Sequence, residues 1–357
     1  MEVRIEQLEQ NRKSEKHQLG EVQGTDVEAE YTCGVSRGRK GTGGRSMPCQ
    51  GIPEQGFHEE LLHEAKDEIL LKYKLSHLTE RLTKALDYNL VQSELLSLKV
   101  LITNYKHFRR IHTLETKDLK SVNVLAGCIE LVFMALDILN DIVVDNTTRF
   151  GQPSWHTQKE VGVGALNDAW IFRNMIFYML RKHFQHCEYY LPLVELFHEC
   201  ILTTACGQGM DNKSSQMTVR NFKMKMHKSL TKNKAVYIAL YLPIMASMYL
   251  AGIKNRQAYE QVKGISMDVG YYMQVHNEFL HSFDNPSDVA TIGNDIVVNK
   301  CTWLAVQCIV GRASKKQKYK MVELYKELDM NEAYEAFESE SIDACDEVTR
   351  EEYNKIK

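Results

Sequence analysis

The chain has 357 residues, 44% of them apolar and 25% charged, with a formal net charge of -3 at pH 7. That apolar share is enough for a real core, and a near-neutral chain gives no electrostatic case for nucleic acid or an anionic membrane as partner. Nine scattered cysteines, an odd number with no Cys-x-x-Cys pair, offer no zinc or redox motif and fit a reducing compartment.

Residues 1–56 are polar, with GRKGTGGRS as the extreme. A segment so poor in large apolar residues cannot offset its ordering entropy and is expected to be disordered. It has no apolar signal core, and Glu2, Glu6, Glu9 and Glu15 do not suit an acid-poor presequence, so a cytoplasmic location is expected. From Phe57 the pattern changes, with Leu61, Leu62, Ala65, Ile69 and Leu70 recurring at helical spacing. Helices are predicted at about 57–87, 92–105, 117–144, 161–182, 188–209, 217–229, 232–253, 256–283, 295–312 and 315–340, and strand signals are almost absent. The expectation is an all-α bundle of about ten helices, spanning 57–357 and large enough to enclose a central cavity. Ala235–Ile253 carries no charge and is nearly long enough to span a bilayer. Pro243, Ser247 and its tyrosines favour a buried core helix, and no membrane span is expected.

Polar groups interrupt the apolar helices in two places. In LVFMALDILNDIVVDNTTRFGQ, Asp137, Asp141 and Asp145 stand at i, i+4 and i+8, with Asn140 between them. In QVHNEFLHSFDNP, Asn277, Glu278 and His281 fall at i, i+1 and i+4. Carboxylates stacked in this way repel unless a cation lies between them, and their oxygens suit Mg2+, which in turn binds phosphates. From the pattern alone they read equally well as helix-end charges facing water.

The segments TTRFGQPSWH, GVGALNDAW, YLPLVELFHEC, YLPIMASMYLAGI, IGNDIVVNKCTWLAVQC and LYKELDM, in that order, resemble farnesyl diphosphate synthases over roughly residues 57–340. The resemblance implies an isoprenoid synthase-type bundle, usually a homodimer, in which two Asp-Asp-x-x-Asp motifs face each other and hold Mg2+, three ions in the family arrangement. Here both motifs are degenerate, reading Asn140-Asp141-Ile142-Val143-Val144 with Asp145 one place beyond, and Asn277-Glu278-Phe279-Leu280-His281. The implied metal ligands are Asp141, Asp145, Asn277 and Glu278. Arg149, Lys234, Gln274 and Lys300 match positions that hold an allylic diphosphate, and Gln208, Asp211 and Asp295 match cavity and metal-shell positions. Asp141, Arg149 and Lys234 are the implied catalytic set. Thr291 and Ala235 stand where the family has a further lysine and a threonine.

The acceptor side departs further. The family's Gly-Lys-x-x-Arg segment, a glutamine on the first motif's helix and the second arginine of Arg-Arg-Gly correspond here to Ser93-Glu94-Leu95-Leu96-Ser97, Phe133 and Phe150. Each lost charge-assisted bond costs roughly 1.5–3 kcal/mol, and Glu94 adds a repulsive charge. Binding of isopentenyl diphosphate, and with it chain elongation, is expected to be abolished. Leu136 and Ala135 occupy the two positions where the family's farnesyl synthases use bulky aromatics to limit chain length, which implies a deeper pocket. Asp137 has no counterpart in the motif. His183 and His186, and the run with Met224 and Met226, are read as surface and helix-face residues.

These residues imply a terpene synthase, most simply acting on farnesyl diphosphate. Phe133, Tyr237 and Tyr241 are candidates to line a cavity that shelters a carbocation. The alternatives are a non-catalytic homologue that binds a prenyl diphosphate or regulates a partner, and a divergent prenyltransferase.

Overall fold

The structure, a computed structural model, describes residues 57–90, 96–283, 294–311 and 313–327. The expectations for 1–56, for Ser93, Glu94 and Leu95, for Thr291 and for residues beyond 327 fall outside these, as do the side chains of Leu96, Ser97 and His281.

A helix with no polar face can only be surrounded by others, and α4 (Thr116–Val143) is that helix. Nearly every side chain from Val122 to Leu136 is buried. It is also the one helix among the described residues long and apolar enough to cross a membrane, and 83% of its apolar window is buried in the protein. Ala235–Ile253 is largely buried as expected, but the single helix predicted over 232–253 is divided between π-helical and α-helical winding. Around α4 stand α1 (Phe57–Tyr73), α2 (Thr79–Leu90), α3 (Leu96–Arg109), α5 (Ala165–Phe184) and α6 (Tyr190–Ser215). α7 (Met224–Thr231) runs through a π-helical stretch, Lys232–Tyr241, into α8 (Leu242–Leu250). α9 (Arg256–Phe283) follows, then the short α10 (Asn294–Val297) and α11 (Trp303–Val310), and α12 (Lys315–Glu327). The main core lies among the helices from α1 to α9. A second, smaller apolar cluster joins α7, α11 and α12 through Leu230, Ala305, Val306 and Val322.

Several predicted boundaries are corrected. The stretch 57–87 is two helices, divided at Lys74, whose φ is 56°. The Leu75 amide donates to the Leu70 carbonyl and that of Lys74 to Leu71, the pairing that closes a helix on a left-handed residue. The same closure ends α3 at Arg110, α4 at Asp145 and α10 at Asn299. It divides 295–312 into α10 and α11. One hairpin stands among the helices: β1 (Thr148–Arg149) pairs antiparallel with β2 (Gln152–Pro153) around Phe150 and Gly151, at φ 51° and 75°. Two left-handed residues match the right-handed twist of a tight hairpin.

Two glycines bring neighbours onto the π stretch. A Cβ on Gly207 of α6 would stand 2.6 Å from the backbone of Asn233 and Lys234, and one on Gly270 of α9 would stand 2.5 Å from the Val236 side chain. The π winding, a local widening often found at functional sites, therefore lies between α6 and α9 with Lys234 at its start.

Candidate functional site

At the end of α4, Asp137 and Asp141 lie one turn apart and meet the same arginine. Arg149, carried by β1, donates from Nε to Asp141 Oδ2 at 2.8 Å and from Nη2 to Asp141 Oδ1 at 2.6 Å. Its Nη1 stands 3.1 Å from Asp137 Oδ1. Asn146 Nδ2 adds a third donor to Asp141 at 2.9 Å, and Asp141 is 3% exposed. Asp145 does not continue the stripe: α4 stops at Val143, and Asp145 is the exposed left-handed residue of its cap. The expected i, i+8 alignment thus ends at Asp141.

On the facing elements, Lys234 donates to Asp211 of α6. Gln208, one turn earlier, reaches the Leu136 carbonyl at 3.1 Å and ties α6 to α4. Lys300 donates to Asp295 at 2.6 Å, and the α10 cap also sets the Lys300 amide on the Asp295 carbonyl at 2.8 Å. Glu278 of α9 is 9% exposed and multiply held. It is met by His227 Nε2 at 3.0 Å, Gln274 Nε2 at 2.9 Å and the Trp303 amide at 2.7 Å. That amide opens α11, whose first turn is capped by the Thr302 hydroxyl, so the carboxylate sits at a helix N-terminus where the dipole favours negative charge.

The electrostatics link these groups. Burial pulls the Lys300 ammonium down, but Asp295, Asp211 and Glu278 outweigh it and hold it above its ordinary value. Burial likewise opposes the Arg149 charge, and its bonds to Asp141, with the Asp137 carboxylate, more than restore it. Asp137 keeps 36% of its side-chain surface while its carboxyl lies close to the charges of Arg149, Asp141 and Lys234. Burial pushes it up to about 6; Asp141 and Glu130 add to the rise, while Arg149 and Lys234 oppose it.

The structure holds these residues in local polar pairs, Asp141 with Arg149, Gln208 with the Leu136 carbonyl, Asp211 with Lys234, Gln274 with Glu278 and Asp295 with Lys300, and the charges of Asp211 and Glu278 are felt at Lys300. Asn277 is half-buried on α9 and Phe133 half-buried on α4. Ala135 and Leu136 are buried in the main core. Tyr237 and Tyr241 have Lys263 over their rings, at 5.6 and 5.1 Å, and that lysine is bonded to Glu199. Phe150, at the hairpin tip, is 49% exposed with the Arg149 guanidinium 5.8 Å from its ring. Three contributions escaped sequence reasoning. Asn146 and the Asp137 share of Arg149 depend on how the chain turns after α4, and His227 meets Glu278 across 51 residues with no local signal. The N-terminus under Trp303 did carry one, since Thr302 precedes the apolar run of α11.

Carboxylate oxygens are the donor set Mg2+ takes, and it needs only one or two of them when substrate phosphates and water complete the shell. Asp137, which meets Arg149 through one oxygen, fits that use, whereas Asp141 would have to give up a donor from Arg149 or Asn146 to join it. Among the described residues no group of three or more His, Cys, Asp and Glu side chains could enclose an ion without such help.

Arg149, Lys234 and Lys300 thus each stand bonded to a carboxylate, and the Lys234 charge is felt at Asp137. The family model for polyprenyl synthetases matches residues 79–339, and the chain belongs to that family, with its all-α isoprenoid synthase fold. The family consists of enzymes acting on prenyl diphosphates, typically with Mg2+. The chain is 32% identical to farnesyl pyrophosphate synthase 2 of Arabidopsis thaliana over 73% of its own length and 81% of that protein. It is 26% identical to the farnesyl pyrophosphate synthase of Gallus gallus over 84% and 87%. With that of Nezara viridula it shares 30% identity over 71% of this chain and 62% of the relative.

Proposed function

We propose that this protein is a Mg2+-dependent class I terpene synthase, most simply a sesquiterpene synthase, that ionises farnesyl diphosphate without adding isopentenyl diphosphate. The observation that carries the proposal is an asymmetry around one arginine. Arg149 is half-buried against two carboxylates, one of which feels the Lys234 charge, while the next residue, Phe150, puts an exposed aromatic ring where the resemblance implies a second diphosphate would need a cation. Phe133 likewise offers no hydrogen bond.

On this proposal Arg149, Lys234 and Lys300 bind and orient the leaving diphosphate, because preorganised cations in a partly buried site stabilise charge that develops as the bond breaks. Asp137 and Asp141 would hold Mg2+, with Glu278 and Asn277 the further ligands the family resemblance implies, and the ion would supply further charge neutralisation on the leaving group. The half-buried apolar face of α4 at Phe133 would exclude water from the cation. The relatives' names describe synthases of farnesyl pyrophosphate, and the proposal departs from that activity chiefly at the acceptor residues.

A homodimer is part of the same proposal. Leu166 and Trp170 share one face of α5, Leu191 and Leu202 one face of α6, and all are exposed, Trp170 at 62%. Apolar side chains so placed favour a partner surface.

One observation favours a second possibility, a non-catalytic homologue that binds a prenyl diphosphate. Both Asp141 and Glu278 already have their oxygens occupied by donors from the protein itself. Incubating the purified chain with Mg2+ and farnesyl or geranyl diphosphate, with and without isopentenyl diphosphate, and analysing extracts by gas chromatography separates the cases. A hydrocarbon or terpene alcohol from one allylic substrate is the expected result. Longer prenyl diphosphates formed only with isopentenyl diphosphate would show a prenyltransferase, and no turnover would show the binding homologue.

A further inference from the structure

Arg149 divides its donors unequally. Toward Asp141 it makes two short bonds, 2.8 and 2.6 Å, to a carboxylate whose side chain is 4% exposed. Toward Asp137 it makes one longer contact of 3.1 Å, to a side chain that is 36% exposed. The Asp141 half of this clamp is closed and further anchored by Asn146. The Asp137 half is the one that can open.

We infer that Asp137 is a positioning residue that holds one arm of the Arg149 guanidinium until a diphosphate arrives, and so couples divalent-cation binding to diphosphate binding through a single arginine. The inference rests on the diphosphate site proposed above, though not on its turnover. An anion arriving alone must draw Nη1 away from Asp137 and leave that carboxylate facing the anion. A divalent cation arriving alone must take Asp137 from Arg149 and leave the guanidinium facing the ion. When both arrive, the carboxylates take the cation, the guanidinium takes the anion, and no like charges face each other. Lys234 adds to the effect, since it is close enough to Asp137 for its charge to be felt there. Asp145, turned out by the α4 cap, offers no alternative carboxylate on that face.

The test is calorimetric titration of the full chain with inorganic diphosphate, with and without Mg2+, for the native protein and for Asp137→Asn, Asp137→Leu and Asp137→Glu. Melting curves establish that each variant is folded. The leucine variant suits a helix position flanked by Leu136 and Ile138, which guards against a failure of the asparagine variant to fold. Removing the charge should tighten metal-free binding about tenfold and shrink the gain from added Mg2+ by a similar factor, within the usual range of site-to-site coupling. Asp137→Glu, which restores the charge, should behave like the native chain. Metal-free binding no tighter in Asp137→Asn and Asp137→Leu than in the native protein, or an equal gain from Mg2+ in all four, would overturn the inference. A native chain that binds diphosphate with Mg2+ yet forms no product from farnesyl diphosphate would instead sink the synthase proposal and leave the coupling standing.

Discussion

Asp141 and Glu278 are the surviving carboxylates of two eroded motifs, and both are braced from within. A carboxylate receiving several N–H donors fixes the groups that donate to it. Asp141→Ala should therefore do two things: abolish product formation, and lower unfolding stability by about 1–3 kcal/mol, because the Arg149 and Asn146 donors lose their acceptor. Urea denaturation alongside the product assay checks both, and full turnover would remove Asp141 from the site. The catalytic candidates Asp141, Arg149 and Lys234 were legible because they lie within segments that resemble the family. His227 was not, for a histidine among lysines and methionines has nothing in its neighbourhood to announce a carboxylate 51 residues away.

Whole elements were more legible than their ends. The central apolar helix α4 and the long α9 declared themselves by pattern. Helix ends closing on Lys74, Arg110, Asp145 and Asn299 did not, because the left-handed residue there is usually glycine. Asp and Asn tolerate that conformation, and at Asp145 the result decides which carboxylates share a face. The π stretch was likewise invisible, since widened winding answers to packing: Gly207 and Gly270 let α6 and α9 close on it. A methyl group at Gly207 would press on the backbone beside Lys234, not on a side chain that can swing away. Gly207→Ala should cost about 1–3 kcal/mol as overpacking and weaken binding of inorganic diphosphate by shifting Lys234. An unchanged melting temperature and affinity would show that the close approach is dispensable.

Across the molecule, polar ties fix the helices that the apolar core alone would let slide. Asp168 of α5, 1% exposed, takes both arms of Arg81 at 2.9 and 2.8 Å and the Trp155 indole at 2.9 Å. Asp168→Ala should cost about 1–3 kcal/mol, because the Trp155 indole loses its buried acceptor while Arg81, a third exposed, can turn to water, and a loss under about 0.5 kcal/mol in urea denaturation would contradict it. Between α1 and α5, the Lys182 ammonium at 2.6 Å, aided by the Tyr178 hydroxyl and opposed by burial, holds Glu68 below its ordinary value of 4.5. A depressed carboxyl contributes stability above its unfolded pKa and loses it as pH falls through the folded one. The stability gap between native chain and Glu68→Gln should thus be constant from neutral pH down to about 5.5 and shrink below 4.5. A gap that does not change with pH would exclude the contribution. If the exposed faces of α5 and α6 join two copies, Trp170→Glu should shift the protein from dimer to monomer in light scattering, and an unshifted mass would place the interface elsewhere.

The proposed asymmetry between a furnished diphosphate site and an unfurnished acceptor site is tested most directly by following inorganic diphosphate release from farnesyl diphosphate as the sole substrate. With Mg2+ present, release should proceed to completion, and adding isopentenyl diphosphate should leave its rate unchanged. Release that begins only when isopentenyl diphosphate is added would contradict the account.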